Sequence, residues 1–394
     1  MRSVSIFGAT GSIGVNTVDL IRREGGARAF RTVALTGGRN IARLADQARE
    51  LQAELAVTAH PECYAALKEA LAGTGTEVAA GPEAIAEAAD RRADWVMSAI
   101  VGAAGLLPGF RALSHGSTLA LANKESLVTA GPLLMAEARR HGACILPVDS
   151  EHSAVFQALV GEDIAAVERV IITASGGPFR TWNASQLAKA TPAQAVAHPN
   201  WSMGQRISID SASLFNKALE LIETKEFFGI DPEKIEVLVH PQSIVHALVG
   251  FNDGALMAHL GPADMRHAIG YALNWPERRK LPVERLDLAR IGQLDFEAPD
   301  PVRFPALWLA RQVMETGGLA GAAFNAAKEV ALDHFIAGAI PFPAMAEVVE
   351  QVLARLSCDS GLTIAPVDLD MVLQTDHLAR VRAEEAVQEM QAQA

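Results

Sequence analysis

An apolar tetrapeptide, Val4-Ser5-Ile6-Phe7, runs directly into Gly8-Ala9-Thr10-Gly11-Ser12-Ile13-Gly14 and then into a helical pattern marked by Val15, Val18 and Ile21. Strand, glycine-rich turn and helix in that order commit this part of the chain to a βα unit. Glycines in such a turn let backbone N–H groups approach an anion at the helix N-terminus, as a dinucleotide pyrophosphate requires. The spacing is GxxGxxG rather than GxGxxG, so an ordinary tight β–α turn is the competing reading.

The pattern that follows extends the same architecture. Short apolar segments at 4–7, 32–36, 55–58, 95–100, 118–121 and 144–148 alternate with amphipathic stretches, the signature of a parallel sheet covered by helices on both faces. Residues 1–149 are therefore expected to form an N-terminal Rossmann-like α/β domain that binds nucleotide. Residues 150–275 change texture, with strands expected at 168–174, 206–210, 235–239, 244–249 and 255–260 and a helix over 213–228. These predict an α+β catalytic domain. Residues 276–304, with Pro276, Pro282, Pro299 and Pro301, suit an extended linker. Residues 305–394 are expected to form a C-terminal helical bundle, with Pro305 and Pro343 at helix starts and Gly317-Gly318 after a helix end.

A chain of 394 residues exceeds what one core usually supports, so several domains are expected. The net charge of −12 argues against nucleic acid, which needs a basic footprint. An anionic ligand must then be held by a local group of Lys, Asn, Ser and backbone N–H groups. Cys63, Cys144 and Cys358 are few and widely spaced, which fits a reducing compartment and small buried side chains rather than disulfides. With a strand expected from residue 3 or 4, no signal peptide is expected. The uncharged run 95–110 is interrupted by Gly102, Gly105, Pro108 and Gly109 and is too short for a membrane span. A cytoplasmic protein without membrane or nucleic-acid partners is expected.

The segment after the second strand, Gly37-Gly38-Arg39-Asn40, lacks the carboxylate that an NAD site places there for the ribose 2′-hydroxyl. Arg39 and Asn40 could instead receive a 2′-phosphate, which favours NADPH. Asp149 and Glu151 stand two apart at the end of an apolar strand, with Ser150 between them. Hard carboxylate oxygens suit Mg²⁺ or Mn²⁺. The third ligand is inferred on the helix expected over 213–228, where Asn216, Lys217 and Glu220 share the face opposite the apolar stripe Leu214, Phe215, Ala218, Leu219 and Ile222. A solvated helix face with a routine Lys217–Glu220 pair is the alternative for that stripe. Ser211 and Ser213 at the expected helix start speak for an anion instead. Ser175-Gly176-Gly177 is either a second anion-binding turn or a plain one. Asn123-Lys124-Glu125 follows a strand at the ligand-binding edge of such a sheet, or begins a charged surface helix. His198-Pro199-Asn200-Trp201-Ser202-Met203-Gly204 has the makings of a lid, whereas His152 and His246 read as structural or as supports for residues of the site. Dinucleotide loop, carboxylate set and phosphate-ready segments together point to a metal-assisted reductase acting on a small sugar phosphate.

Eight segments also carry a resemblance: GATGSIG at 8–14, LANKES at 121–126, PVDSEHSA at 147–154, ASGGPF at 174–179, HPNWSMG at 198–204, DSASLFNKALELIE at 210–223, HPQSIVHALV at 240–249 and FNAAKEVA at 324–331. The chain resembles, nearly end to end, the 1-deoxy-D-xylulose-5-phosphate reductoisomerases of non-mevalonate isoprenoid synthesis. The resemblance implies NADPH contacts at Thr10, Gly11, Ser12, Ile13, Gly38, Arg39, Asn40, Asn123, Glu125 and Gly204. It implies one divalent cation on Asp149, Glu151 and Glu220, with Lys124, Ser150 and Glu151 at the substrate's hydroxyl and carbonyl region. Ser175, His198, Ser211, Asn216 and Lys217 would surround its phosphate, and residues 195–205 would form the lid with Trp201 over the substrate backbone. Arg39 stands where many relatives carry Lys. A homodimer is also implied. The rival readings are another NADP-dependent oxidoreductase of a phosphorylated substrate, such as a semialdehyde dehydrogenase, which needs a reactive cysteine, and a non-catalytic NADP(H)-binding sensor.

Overall fold

A computed structural model describes residues 1–201, 203–359, 361–366 and 368–393; the side chains of Cys358 and Asp359 also lie outside that description, and with them the expectation for Cys358. The chain divides into two compact units that do not follow sequence order. The first comprises Met1–Ser126, Leu134–Ser153 and Asp264–Glu284, and the second Leu127–Leu133, Ala154–Ala263 and Arg285–Ala394.

The first unit is built on seven parallel strands: β1 (Arg2–Phe7), β2 (Phe30–Gly37), β3 (Leu55–Thr58), β4 (Glu77–Ala80), β5 (Trp95–Ser98), β6 (Thr118–Leu121) and β7 (Cys144–Pro147), in the order β4-β3-β2-β1-β5-β6-β7. The order reverses at β1, so ligand loops gather at the carboxyl ends beside β1 and β5. Register is pinned at the opposite end, where the Asp94 carboxylate accepts the backbone N–H and hydroxyl of Ser3 at 2.7 and 2.8 Å. Ile6, Phe7, Leu35 and Trp95 are fully buried, as strands covered on both faces require. Helix Arg266–Asn274 belongs to this unit, because the Trp95 indole N–H donates to the Ala272 carbonyl at 3.1 Å.

Strand β4 is the one the sequence pattern does not reveal. It lies at the sheet edge, is only partly buried and opens on Glu77, which pairs with Arg91 at 2.6 Å. Edge strands of this kind carry charge and little apolar signal.

In the second unit, β8 (Val167–Ala174), β9 (Ile235–Val239), β10 (Val245–Phe251) and β11 (Leu256–Leu260) form a sheet of order β11-β10-β8-β9. The strand expected at 206–210 is instead helix Gln205–Ala212. Arg206-Ile207-Ser208-Ile209-Asp210 alternates like a strand, but the chain buries Ser208, Ile209 and Ala212 at helical spacing, and the Ser208 hydroxyl returns to the Gly204 carbonyl at 3.0 Å. Tertiary burial overrides the local alternation. Residues 285–304 are extended around one short helix, Leu288–Ile291, and bridge to β9 through Val239 and Glu297.

The C-terminal helices are Ala306–Thr316, Ala320–Ile336, Ala344–Asp359 and Leu369–Gln393. Their packing is tightest at Gly321, where a Cβ would stand 1.9 Å from the Val128 carbonyl oxygen. Gly321→Ala improves helix propensity by ~1 kcal/mol, yet overpacking by a methyl group costs about 1–3 kcal/mol. The clash is severe enough to win, so a lower urea midpoint is expected for this variant; an unchanged or higher midpoint would contradict the packing described.

Candidate active site

In the first unit the glycine loop is fixed by close approach. Gly8 has φ +91°, and a Cβ there would lie 2.4 Å from the Ala99 carbonyl oxygen; one on Gly14 would lie 2.3 Å from the Gly8 carbonyl oxygen. Only glycine satisfies either position. Gly11 caps helix Ser12–Arg23 without a side-chain bond, and no acidic residue occupies the first turn. The start of the helix therefore carries no side-chain cap and no negative charge, a setting in which the helix dipole favours an anion. Thr10 packs beside Gly37, so the loop abuts the end of β2.

The β2 end holds more than the sequence reveals. The Arg39 guanidinium pairs with Glu62 at 2.7 Å, and His60 Nδ1 lies 3.7 Å from the same carboxylate. Asn40 Oδ1 accepts the Arg43 backbone N–H at 3.2 Å, capping helix Ile41–Leu51, while the Arg43 side chain donates to the Thr10 carbonyl at 3.3 Å. Arg43 stands one helical turn after Arg39, and that spacing is the signal that could have drawn attention to it.

Asn123 is buried and spends its amide inside the fold, donating to the carbonyls of Ile100 and Gly102 at 2.7 and 2.9 Å and to Glu125 at 2.8 Å. It shapes the loop after β5 and caps helix Lys124–His141. Lys124, next along, forms an ion pair with Asp149, and both side chains are largely buried. Asp149 follows β7 by two residues, and its Oδ1 accepts the backbone N–H groups of Glu151 and His152, each at 3.1 Å, with His152 Nδ1 at 3.0 Å. His152, expected to be structural or a support, is fully buried, and its backbone N–H donates to a candidate ligand. The Ser150 hydroxyl donates to Glu151 at 2.5 Å.

In the second unit, Ser175-Gly176-Gly177 ends β8. Gly176 and Gly177 have φ +82° and +63°, and a Cβ on Gly177 would lie 2.9 Å from Ala212 Cα and 3.0 Å from the Ser211 carbonyl oxygen. The fold thus presses Gly177 against the backbone of Ser211, an expected phosphate residue. The Ser175 hydroxyl meets His198 Nε2 at 2.8 Å. His198 Nδ1 accepts the N–H groups of Asn200 and Trp201 at 3.1 and 3.0 Å, so the neutral ring carries its proton on Nε2 and donates to Ser175. Asn200 reaches Ser243 at 3.0 Å, and the Trp201 ring lies 6.3 Å from that of His246. The expected lid therefore rests on the segment beginning β10; Ser202 lies outside the described residues.

Ser211 ends helix Gln205–Ala212 rather than opening the next one, and Ser213 is that helix's C-cap, its hydroxyl donating to the Ile209 carbonyl at 2.9 Å. Leu214, at φ +59°, turns the chain into helix Phe215–Phe228. On that helix Glu220 has no exposed surface and Lys217 is 3% exposed. Lys217 pairs with Glu220, and the Asn216 amide donates to it at 2.6 Å. The solvated-face alternative fails, since this polar stripe points into the protein. Asn216 Oδ1 is buried without a protein partner, an atom of the kind a ligand hydroxyl satisfies.

Cys144 is exposed and Cys63 half-buried, so neither is the small buried side chain expected; the partial desolvation of the Cys144 thiol pushes it up, away from the thiolate that covalent chemistry needs. Burial also pushes the His198 imidazole below its ordinary value of about 6.5. The folded state then prefers the neutral ring, so the contribution is complete above the unfolded value and is lost as pH falls through the lowered folded one. Protonation removes the Nδ1 acceptor that anchors Asn200 and Trp201. The fluorescence difference between this chain and Trp201→Phe is therefore expected to change on acidification below about pH 6.5; a constant difference from neutral to mildly acidic pH would show that His198 does not anchor the loop.

Comparison with known proteins accounts for the whole chain. The family model described as 1-deoxy-D-xylulose 5-phosphate reductoisomerase matches residues 4–131, its C-terminal domain model matches 145–228, and a further DXP reductoisomerase C-terminal domain model matches 260–382. A 1-deoxy-D-xylulose 5-phosphate reductoisomerase of Cereibacter sphaeroides is 73% identical over 386 residues, 98% of either chain, and that of Ruegeria pomeroyi is 69% identical over 387 residues, again 98% of either. Among solved structures, the Zymomonas mobilis enzyme in complex with NADPH superposes with a TM-score of 0.91 at 47% identity, covering 98% of this chain and 99% of that one. A DOX-P reductoisomerase in complex with NADPH, fosmidomycin and magnesium gives 0.92 at 39% identity over 99% of each chain. Identity at this level and coverage at this extent leave one conclusion: the chain belongs to the 1-deoxy-D-xylulose 5-phosphate reductoisomerase family.

Proposed function

We propose that this chain converts 1-deoxy-D-xylulose 5-phosphate to 2-C-methyl-D-erythritol 4-phosphate, with NADPH as reductant and a divalent cation, Mg²⁺ or Mn²⁺, at the reacting end of the substrate. The observation that carries this reading is the inward-facing stripe Asn216, Lys217 and Glu220, on a helix that follows the close approach of Gly177 to Ser211. A fully buried carboxylate beside an anion-ready turn suits a substrate with an oxygen-rich head and a phosphate tail.

The donor set fits a hard cation. Asp149, Glu151 and Glu220 offer carboxylate oxygens and no thiolate, and each is steadied by a neighbouring side chain or backbone N–H group. These three would hold the cation, which supplies Lewis acidity toward the substrate's carbonyl and hydroxyl oxygens. Lys124, Ser150 and Glu151 would contact the same oxygens, and Lys124 and Glu151 are the candidates for moving protons. Ser175, His198, Ser211, Asn216 and Lys217 would hold the phosphate. His198 suits this role because its Nε2 proton, directed at Ser175, can be donated to a phosphate oxygen. Binding energy from that remote group positions the reacting carbons.

The nucleotide fits the first unit. Thr10, Gly11, Ser12, Ile13 and Gly38 would contact the nucleotide, although the Gly11 N–H itself donates to the Gly8 carbonyl at 3.1 Å, and Arg39 and Asn40 would receive the 2′-phosphate. Asn123, Glu125 and Gly204 complete the contact set. Residues 1–149 would bind nucleotide, 150–275 metal and substrate, with 276–304 as linker and 305–394 as helical support. Residues 195–205 would close as a lid, with Trp201 over the substrate and water excluded.

We further take the working form as a homodimer in the cytoplasm. Two of the few cysteines, Cys63 and Cys144, are free, and among the described residues no helix is long and apolar enough to cross a membrane.

Oxidation of NADPH by 1-deoxy-D-xylulose 5-phosphate, followed by absorbance with and without Mg²⁺ or Mn²⁺, tests the reading. Metal-dependent oxidation is expected, and much less with NADH at equal concentration; tight NADPH binding without turnover would return the non-catalytic alternative. Lys217→Ala is expected to raise KM for the substrate by about tenfold or more, through loss of a charge-assisted bond. An unchanged KM would place the phosphate elsewhere.

A further inference from the structure

Helix Gln205–Ala212 carries the proposed phosphate residue Ser211 at one end and continues from the proposed lid at the other. It has eight residues, too few to hold a position by its own stability. Two ion pairs tie it to helix Ala320–Ile336. At the exposed end Arg206 pairs with Asp333, and at the buried end Lys328 donates to Asp210 at 3.0 Å. The Asp210 and Lys328 side chains keep only 7% and 3% of their surface. Positions 206 and 210 lie one turn apart, so the two ties together fix both the tilt and the rotation of the short helix. The exposed pair contributes little; the buried one is the constraint that matters, because separating it strands a charge away from water. The neighbouring Glu329 is held by Arg380 at 2.7 Å and by Asn325 at 3.2 Å, and the Lys328 charge also acts on it.

The far end of the helix has no tolerance for movement. The Ser175–Gly177 turn lies so close to Ser211 and Ala212 that a single Cβ on Gly177 would meet them at about 3 Å. A small rotation of the helix would carry Ser211 away from the turn.

We propose that Lys328 is a positioning residue for substrate phosphate. Acting through Asp210, it fixes the helix end that presents Ser211 to the Ser175–Gly177 turn. The inference rests on the phosphate reading given above, and Lys328 itself touches no substrate.

The test compares Lys328→Met, Asp210→Asn, the double variant and Ser211→Ala in the full-length chain, measuring kcat, KM for each substrate and melting temperature. Each single charge variant is expected to raise KM for 1-deoxy-D-xylulose 5-phosphate about tenfold, with kcat and KM for NADPH changed far less. The double variant removes both charges of the pair at once, so it is expected to recover part of the melting temperature while KM stays raised. A double variant with normal KM would overturn the proposal, reducing the pair to charge compensation. A raised KM in Ser211→Ala with an unchanged KM in Lys328→Met would overturn it while leaving the phosphate reading intact. An unchanged KM in Ser211→Ala would remove both, since there would be no phosphate contact to position.

Discussion

A carboxylate with no exposed surface stays ionised only beside a compensating charge, and Glu220 has that charge on its own helix. Lys217 lies three residues earlier and is itself almost wholly buried, with Asn216 completing the turn. An isolated buried charge of this sort would cost several kcal/mol, and a good pair offsets most of that cost without adding net stability. Such a helix face is an expensive way to fill a core, and an apolar stripe would serve stability better. What the arrangement provides is a desolvated, oriented carboxylate beside an ammonium, the setting that a phosphorylated, metal-assisted substrate would use.

The same logic runs through the backbone. Gly8 and Gly14 in the first unit and Gly177 in the second each sit where a side chain would collide with a carbonyl oxygen or a neighbouring Cα. Both contacts bring main-chain N–H groups to a place where an anion can approach, at the start of helix Ser12–Arg23 and at the turn after β8. An acidic chain can hold anionic cofactor and substrate in this way with very few cations, because the dipoles are supplied by geometry.

Motifs were legible where chemistry demands a fixed local pattern. The glycine loop, the Asp149–Glu151 spacing and the stripe of Asn216, Lys217 and Glu220 are short-range features, and they fold as a close-packed loop, a carboxylate that accepts a neighbouring N–H group and a polar face turned inward. Contacts decided by distant segments were not legible. Asp264–Glu284 packs into the first unit because Trp95 needs a carbonyl for its indole N–H, and no local pattern announces that. Segment 206–210 alternates like a strand but folds as a helix against 320–336. Glu62 meets Arg39 from the loop after β3, although the β2 end itself has no carboxylate. Ser213 was expected to face an anion, yet its hydroxyl satisfies the helix before it. Edge strand β4 carries too little apolar content to stand out.

The central claim is that Glu220 is a metal ligand rather than a structural acid. Titration of Mn²⁺ by electron paramagnetic resonance, on the full chain and on Glu220→Gln, addresses it directly. The account predicts one tight site in the native chain, weakened by a factor of at least ten in the variant, with NADPH affinity preserved. Equal Mn²⁺ affinity in the two proteins would contradict it and reduce the Lys217–Glu220 pair to a feature of the core.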